Sequence, residues 1–372
     1  MLLRPPFLLL AALLLLSPSP PGCGQGRAPS RGSFTRAELA QLILQISEEG
    51  GYFWSNNYIS NETSYLHVLE PLKRLKVRGG VYVGVGPNQN FTYISHIRPR
   101  LAFIIDLRRQ NMLEHLIFKV LIEKSETRQE FLSWLTSRPI HGPPLTPDAS
   151  IEDIVSSVQS AVPDHDFFLK NRREVIEELF SWEELELTAS DLQDIERIYR
   201  EFFRQGLDIK YDSWRSFFFP SLKEFLLETD LEGGRHNWLA SAETYRFVRA
   251  MHRANLIVPA VGDFAGKHAL RTLGAVVETR GETVSAFYLS NVEFYLFRQR
   301  KWDRFVENVR RLPFDEGSVL IRAYANLHRP HPEMVGDHIT VSLVQKTQNF
   351  LDNADRGLYQ NLWDVVTLDY TH

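Results

Sequence analysis

The sequence predicts an α/β fold, with a Rossmann-like, mostly parallel sheet flanked by helices and a large helical insertion. Three observations support this prediction. Short apolar runs alternate with helical patterns in two parts of the chain, a glycine-rich turn follows the first run, and the long stretch between the parts has helical patterns alone. Strands that alternate with helices pair in parallel through right-handed crossovers.

Residues 1–25 have the pattern of a secretory signal peptide or a lipoprotein leader. Arg4 precedes a Leu/Ala run, and a Ser, Pro and Gly-rich stretch follows. We therefore expect export to the periplasm or the exterior of a bacterium. The alternative is a lipid anchor formed by acylation of Cys23. The remaining chain divides into residues 26–75, an N-terminal helical or lid segment; 76–123, the first part of the core; 124–254, the helical insertion; and 255–372, the second part of the core.

The predicted elements follow from the spacing of apolar residues, which recurs every three to four positions in helices and is continuous in buried strands. The first strand leads into Gly84. The later strands are 101–106, 255–261, 283–289, 318–324 and 339–344, and the helices are 36–47, 66–75, 108–123, 128–136, 151–162, 168–179, 189–205, 266–279 and 301–311. Between the first two strands the sequence predicts only a short connection.

The turn after the first strand and the acid after the second predict a nucleoside site. Gly84 and Gly86 let the backbone approach a ligand, and Asp106 follows about 20 residues later, where a nucleotide-binding βαβ unit places its ribose-binding acid. A carboxylate there accepts both ribose hydroxyl hydrogens. The alternatives are a tight turn without a ligand and an Asp106 that caps the next helix.

Polar residues end every predicted strand, and in an open parallel sheet the carboxyl ends of the strands face the ligand. Asp263, Ser290 and Asn291 have helix capping as their alternative role. The cofactor-binding candidates are Gly84, Gly86, Asn88, Gln89, Asn90, Asp106, Arg108, Gly262, Asp263 and Phe264, and the candidates on the acceptor are Ser290, Asn291 and Glu293. Glu293 lies between apolar residues, where a carboxylate is costly unless it is paired or faces a cleft, and it is the predicted general base.

This order of glycine turn, strand-two acid and Gly262-Asp263-Phe264 resembles the core of class I S-adenosylmethionine-dependent methyltransferases. The resemblance implies that Gly84 and Gly86 approach the methionine part, Asp106 holds the ribose and Asp263 contacts the adenine amino group. The chain departs from the family pattern in three places. Tyr82 and Val83 precede the first glycine instead of an acid, a third glycine is missing, and the fourth strand is followed by no Asn-Pro-Pro-Tyr-like motif.

A closer resemblance is to an uncharacterised bacterial family with a methyltransferase-like core, which brings no established reaction with it. The segments that carry it are Gly50-Gly51-Tyr52-Phe53, Ser60-Asn61-Glu62, Gly84-Val85-Gly86-Pro87-Asn88-Gln89-Asn90 and Phe287-Tyr288-Leu289-Ser290-Asn291-Val292-Glu293. In this core the segment before the first strand often folds over the cofactor. The predicted lid or substrate residues are Tyr58, Asn61, Glu62, Tyr65 and, after the fifth strand, Asn326.

Several classes of function are disfavoured. The formal net charge of −4 does not suggest nucleic acid as a partner. His328, His331 and His338, with Glu333 and Asp337, match no zinc spacing, so we predict no metal. No P-loop, His-Glu-x-x-His motif or Gly-x-Ser-x-Gly elbow is present.

The predicted function is a methyltransferase-like protein that binds S-adenosylmethionine and acts on an unknown small-molecule acceptor. Two alternatives stay open. One is a non-catalytic, exported protein that binds a metabolite or a partner on the same fold, which the leader favours because the cofactor is made in the cytoplasm. The other is a nicotinamide-dependent oxidoreductase, which also uses a Gly-x-Gly turn and a strand-two acid.

Overall fold

The computed structural model describes residues 32–211, 218–327, 329–336 and 338–371. The predicted leader with Cys23 lies outside the described residues, as do His328 and Asp337.

One sheet of seven strands organises the described chain, in the order β3-β2-β1-β4-β5-β6-β7. Strands β1 to β5 pair in parallel, whereas β6 is antiparallel to both β5 and β7. The strands are β1 (Val81–Gly84), β2 (Leu101–Asp106), β3 (Ile257–Val261), β4 (Val284–Ser290), β5 (Val319–Ala325), β6 (Thr340–Lys346) and β7 (Tyr370–Thr371). The predicted α/β fold with a mostly parallel sheet is confirmed.

The strand order reverses between β1 and β4. From β1 the chain adds β2 and, after the helical region, β3 on one side, and it then returns to add β4 and β5 on the other side. In open α/β sheets, the crevice at such a reversal is where ligands bind. The order therefore places the carboxyl ends of β1 and β4 next to each other at the centre of the sheet.

Helices flank the sheet, and a run of helices fills the chain between β2 and β3. Those before β3 are α1 (Arg36–Ile46), α2 (Leu69–Arg74), α3 (Gln89–Ile97), α4 (Arg109–Lys124), α5 (Arg128–Thr136), α6 (Ile151–Ser160), α7 (His165–Phe180), α8 (Ala189–Gln205), α9 (Leu222–Leu226) and α10 (Ala242–Arg253). Those after β3 are α11 (Ala269–Thr279), α12 (Val292–Arg298), α13 (Trp302–Val309), α14 (Thr347–Asp355) and α15 (Leu362–Thr367). The described residues between α4 and β3 contribute no strand to the sheet.

The core lies on the parallel strands. Every residue of β1, β2 and β3 is buried, as expected for parallel strands covered on both faces. The short connection predicted between β1 and β2 is wrong, because α3 occupies it. Eight of its nine residues are buried, polar ones such as Gln89 and Asn90 included, so α3 lacks the solvent-exposed polar face of an amphipathic helix. None of the helices in the described ranges has the length and apolar character needed to cross a bilayer.

Candidate ligand-binding site

A cleft opens at the carboxyl ends of β1 to β4, where the strand order reverses. It measures about 900 Å³ when the open space at its mouth is included. Nine predicted residues line it: Gly86, Asp106, Arg108, Gly262, Asp263 and Phe264 from the cofactor set, Ser290 and Asn291 from the acceptor set, and Asn61 from the lid set.

Gly84 and Asn90 shape the turn after β1 without lining the cleft. The Asn90 side-chain amide donates hydrogen bonds to the carbonyl oxygens of Val85 at 2.9 Å and Pro87 at 2.7 Å. Its Oδ1 accepts one from the Tyr82 hydroxyl at 2.9 Å. A Cβ on Gly84 would lie 1.9 Å from that Oδ1. Gly84 therefore makes room for Asn90, and Asn90 holds the turn.

Gly86 is the glycine of this turn that faces the cleft. Its φ of +77° is in the left-handed region, and its Cβ position has no neighbour within 4 Å. The His115 Nε2 lies 2.8 Å from the Gly86 carbonyl oxygen. Because burial lowers the pKa of His115 to about 4, the ring is neutral and donates its proton to this carbonyl. Asn88 and Gln89 are buried outside the lining.

Asp106 and Arg108 form a buried ion pair in the wall of the cleft. The Arg108 backbone N–H donates to Asp106 Oδ1 at 2.9 Å, and the guanidinium Nε lies 3.3 Å from the same oxygen. Arg108 Nη1 donates to the Asn56 carbonyl. Its Nη2 is buried and has no hydrogen-bond partner in the described part of the chain. Since buried donors are nearly always satisfied, this group is suited to hydrogen-bond a ligand or water.

The end of β3 is held by two charged side chains. Asp263 Oδ1 accepts from the Ala265 backbone N–H at 2.9 Å, and its Oδ2 accepts from Lys301 Nζ at 2.7 Å. Glu48, which precedes the cleft residues in sequence, accepts from the Asp263 backbone N–H at 2.9 Å. Phe264 is buried in the lining. The Gly-Asp-Phe segment is thus fixed in place before any ligand binds.

Only two of the three predicted acceptor residues at the end of β4 line the cleft. Ser290 and Asn291 line the cleft, and Ser290 has a φ of +51°. Glu293 is not among the lining residues, because its Oε2 lies 2.9 Å from Nε of Arg322 on β5. Both side chains are buried, and burial raises the pKa of the Glu293 carboxyl. A general base must reach the acceptor, and Glu293 does not reach the cleft.

The segment before β1, residues 47–64, crosses the edge of the sheet that holds the cleft; we call it the N-terminal strap. Its backbone N–H groups donate to the Val261 carbonyl at the end of β3 at 3.0 Å and to the Leu107 carbonyl after β2 at 2.8 Å. Further along, one donates to the Thr340 hydroxyl at the start of β6 at 3.0 Å. The strap is therefore anchored on both sides of the cleft.

Glu62 joins the strap to α3 and β4. Its Oε2 accepts a hydrogen bond from Gln89 Nε2 at 2.7 Å, and its Oε1 accepts from the Tyr288 hydroxyl at 2.7 Å and the Ser290 hydroxyl at 2.6 Å. The carboxyl is buried, and burial raises its pKa against the opposing effect of these three hydrogen bonds. Tyr288 and Ser290 both line the cleft, so the hydroxyl groups of these two residues connect the Glu62 carboxyl to the cleft.

The other predicted lid residues lie elsewhere. Tyr58 and Tyr65 are buried outside the lining, and the Tyr65 hydroxyl donates to the Phe225 carbonyl at 2.8 Å. Asn326 follows β5, where its Oδ1 accepts from the His331 backbone N–H at 2.9 Å. The amide and aromatic residue types of this segment did not show which of its side chains line the cleft and which turn into the core.

Sequence reasoning missed several lining residues. Tyr52, Phe53, Tyr295 and Gln299 all line the cleft, and the Phe53 and Tyr295 rings meet edge to face with centroids 5.2 Å apart. The aromatic run at Tyr52 was the available signal for the first two. Tyr295 belongs to α12 and Gln299 is the residue after it, and no local pattern indicates that this helix borders the cleft.

His331 and His338, the described histidines after β5, contact other parts of the protein. Within the described ranges no group of three His, Cys, Asp or Glu residues is placed to hold an ion. His331 Nε2 lies 2.9 Å from the Val366 carbonyl oxygen, and His338 packs edge to face on His67.

Comparison with known proteins gives a family without an assigned activity. No curated protein matches the chain. The family described as "Domain of unknown function (DUF7790)" matches residues 58–140 and 149–366. These ranges include strands β1 to β6 and the second part of the N-terminal strap. The chain belongs to this DUF7790 family.

Proposed function

We propose that the cleft binds S-adenosylmethionine and that the protein is a methyltransferase-like enzyme with a small-molecule acceptor. The observation that carries the proposal is the convergence of Gly86, Asp106, Gly262 and Ser290 on one cleft at the reversal of strand order. The sequence resemblance to class I methyltransferases selects this cofactor among nucleosides. Neither point depends on the identity of the acceptor.

The residues of the cleft fit an adenosyl nucleoside. Asp106 offers carboxylate oxygens to ribose hydroxyls, and the unpartnered Nη2 of Arg108 offers a buried donor beside them. Gly86 leaves open space where any other residue would place a Cβ. Gly262, Asp263 and Phe264 line the β3 end of the cleft, where a glycine, an aromatic ring and a carboxylate would be next to the purine.

The acceptor side of the cleft would be formed by Ser290, Asn291 and Tyr295. S-adenosylmethionine, when bound, supplies an electrophilic methyl group on its sulfonium. Ser290 and Asn291 would orient the acceptor by hydrogen bonding, and the aromatic ring of Tyr295 would cover it from water. Methyl transfer requires this positioning above all, since a near-attack geometry accounts for much of the rate of such displacements.

A second candidate function is binding without catalysis. The two carboxylates in the described lining, Asp106 and Asp263, are each paired with a cation, Arg108 and Lys301. An acceptor that must lose a proton would therefore find no unpaired carboxylate base among the described lining residues. This observation favours a protein that uses the cleft to hold a metabolite.

Calorimetry on the full chain with S-adenosylmethionine, S-adenosylhomocysteine and NAD tests the proposal. We expect both adenosyl ligands to bind and Asp106→Asn to weaken them about ten-fold or more, because hydrogen bonds to a charged group contribute about 1.5–3 kcal/mol. Asp191→Asn is the matched control, since that buried aspartate pairs with Arg109 away from the cleft. Failure of both adenosyl ligands to bind at millimolar concentration refutes the proposal, and binding of NAD alone favours the oxidoreductase.

Transfer of a labelled methyl group separates the two candidate functions. The full chain is incubated with methyl-labelled S-adenosylmethionine and a small-molecule extract, and label is followed into new products. Asp106-dependent transfer supports the enzyme. Tight binding with no transfer supports the binding protein.

A further inference from the structure

We propose that Glu62 supplies the negative charge that selects a positively charged ligand at the β4 end of the cleft. This inference rests on the proposed function and adds a specificity-determining residue to it. Glu62 does not line the cleft. It acts through the Ser290 and Tyr288 hydroxyl groups, which donate to its Oε1 and line the cleft themselves.

The charge of Glu62 is not balanced by a cation in the described part of the chain. Its hydrogen-bond donors are Gln89, Tyr288 and Ser290, all uncharged. The ionisable groups that face it are the phenols of Tyr82, Tyr93 and Tyr288, which burial keeps protonated by raising their pKa. A buried carboxylate without a countercharge is costly, and that cost falls when a ligand brings a positive charge.

Glu114 shows the opposite arrangement and serves as a comparison. It is also a buried glutamate, yet neither of its carboxyl oxygens has a hydrogen-bond partner in the described residues. Burial raises the pKa of Glu114 well above the ordinary range, which favours the neutral acid. Glu62 instead receives three donors on its two oxygens, and donors of this kind favour the ionised form. The surroundings of Glu62 are built to hold a charge.

The pairing of the other charged residues in the cleft also indicates the β4 end as the place for a cation. Asp106 and Asp263 are neutralised by Arg108 and Lys301 at the β2 and β3 ends. The uncompensated negative charge therefore lies at the β4 end, behind Ser290. A ligand whose nucleoside occupies the β2 and β3 ends would extend its cationic group towards Ser290. The chemistry recognised there is a sulfonium or an ammonium group.

Three ligands distinguish the source of the positive charge. S-adenosylmethionine has a sulfonium and an ammonium, S-adenosylhomocysteine has only the ammonium, and 5′-methylthioadenosine has neither. Their dissociation constants are measured by calorimetry at pH 7 for the wild-type chain, for Glu62→Gln and for the control Asp191→Asn. Glutamine keeps the shape of Glu62 and removes its charge.

We expect Glu62→Gln to weaken S-adenosylmethionine about ten-fold or more while 5′-methylthioadenosine changes little, as electrostatic attraction at a partly buried site predicts. If S-adenosylhomocysteine weakens in parallel, Glu62 recognises the ammonium, and if it does not, Glu62 recognises the sulfonium. Equal weakening of all three ligands, or of none, overturns the inference and leaves the cofactor site standing. No binding of any ligand to the wild-type chain refutes the proposed function itself.

A pH series on the wild-type chain gives a readout that a purely structural role of Glu62 would not move. Because burial raises the pKa of Glu62, protonation removes its charge as the pH falls through that pKa. The affinity for S-adenosylmethionine relative to 5′-methylthioadenosine should then decrease between pH 7 and pH 5 in the wild type and stay constant in Glu62→Gln. The same slope in both proteins overturns the inference.

Discussion

Substitution of Gly84 by alanine tests whether this glycine serves packing or the ligand. The added Cβ would lie 1.9 Å from Asn90 Oδ1 and 2.8 Å from the Tyr82 hydroxyl oxygen. A separation this short cannot persist, so the Asn90 side chain must leave its position. The turn after β1 would then lose the side chain that holds it.

The magnitude follows from the hydrogen bonds that Asn90 would give up. Its two amide protons are shared among the Val85, Gly86 and Pro87 carbonyls, and its Oδ1 accepts the proton of the Tyr82 hydroxyl, so three protons take part in these hydrogen bonds. At about 1 kcal/mol net for each bond, the loss is about 3 kcal/mol. Replacing glycine by alanine also restricts the unfolded chain, which returns about 0.4–1 kcal/mol. We expect a net decrease of about 2–3 kcal/mol in the free energy of unfolding.

A double-mutant cycle measured by urea denaturation gives the decisive number. Asn90→Ala alone should cost about 3 kcal/mol because it removes the same hydrogen bonds. In that background Gly84→Ala no longer meets Asn90 and keeps only the 2.8 Å contacts with the Tyr82 ring, so the double variant should be little less stable than Asn90→Ala. The expected coupling is about 2–3 kcal/mol, within the range measured for residues in contact. Gly86→Ala is the comparison, because its cost comes chiefly from a φ of +77°; since the Asn90 amide also donates to the Gly86 carbonyl at 3.1 Å, only a weak coupling to Asn90 is expected.

Additive effects of Gly84→Ala and Asn90→Ala would refute this account. They would mean that the two residues act independently and that Gly84 is needed for its own backbone freedom or for a ligand. Unchanged stability of Gly84→Ala would refute it as well. Weakened ligand binding in Gly84→Ala at full stability would return Gly84 to the cofactor site.

Two further predictions concern buried carboxylates. Glu293→Ala leaves the buried Arg322 without its ion-pair partner and should lower the free energy of unfolding by about 3–5 kcal/mol. Adding Arg322→Met should restore part of that loss. If urea denaturation shows no recovery in the double variant, the ion-pair role is contradicted. Burial raises the pKa of Glu114, so the protonated carboxyl stabilises the folded state. This stabilisation is complete below the ordinary glutamate pKa and is lost as the pH rises through the folded-state pKa. Wild-type stability should therefore fall relative to Glu114→Gln between pH 5 and pH 8, and a constant difference across these urea denaturations would show that Glu114 is ionised throughout.

The elements that local sequence predicts well are those with local signals at their ends. The helix at Arg128–Thr136 begins after Thr127, whose side chain and Glu130 form a capping box. The helix at Ala189–Gln205 begins with the same motif at Thr188. A capping box needs only four consecutive residues, so these boundaries are visible without knowledge of the fold. The apolar run of β2 is equally local.

The residue types at the strand ends, combined with the rule that ligands bind there, were sufficient to place the cleft. Gly86, Asp106, Gly262, Asp263 and Ser290 line it as that rule requires. The residue types did not show whether a side chain after a strand points into the cleft or away from it. Glu293 follows β4 as predicted, but α12 turns it away from the cleft.

The sequence by itself determined an alternation of buried strands and helices, and with it a sheet whose strand ends share one edge. Tertiary structure decided which polar groups are paired. Arg322 lies 29 residues from Glu293, and Ser290 lies 228 residues from Glu62. Burial makes an unpaired charge costly and a paired one acceptable, and pairing depends on contacts between distant parts of the chain. For that reason Glu62 of the N-terminal strap is hydrogen-bonded to two residues that line the cleft, whereas Glu293 pairs with Arg322.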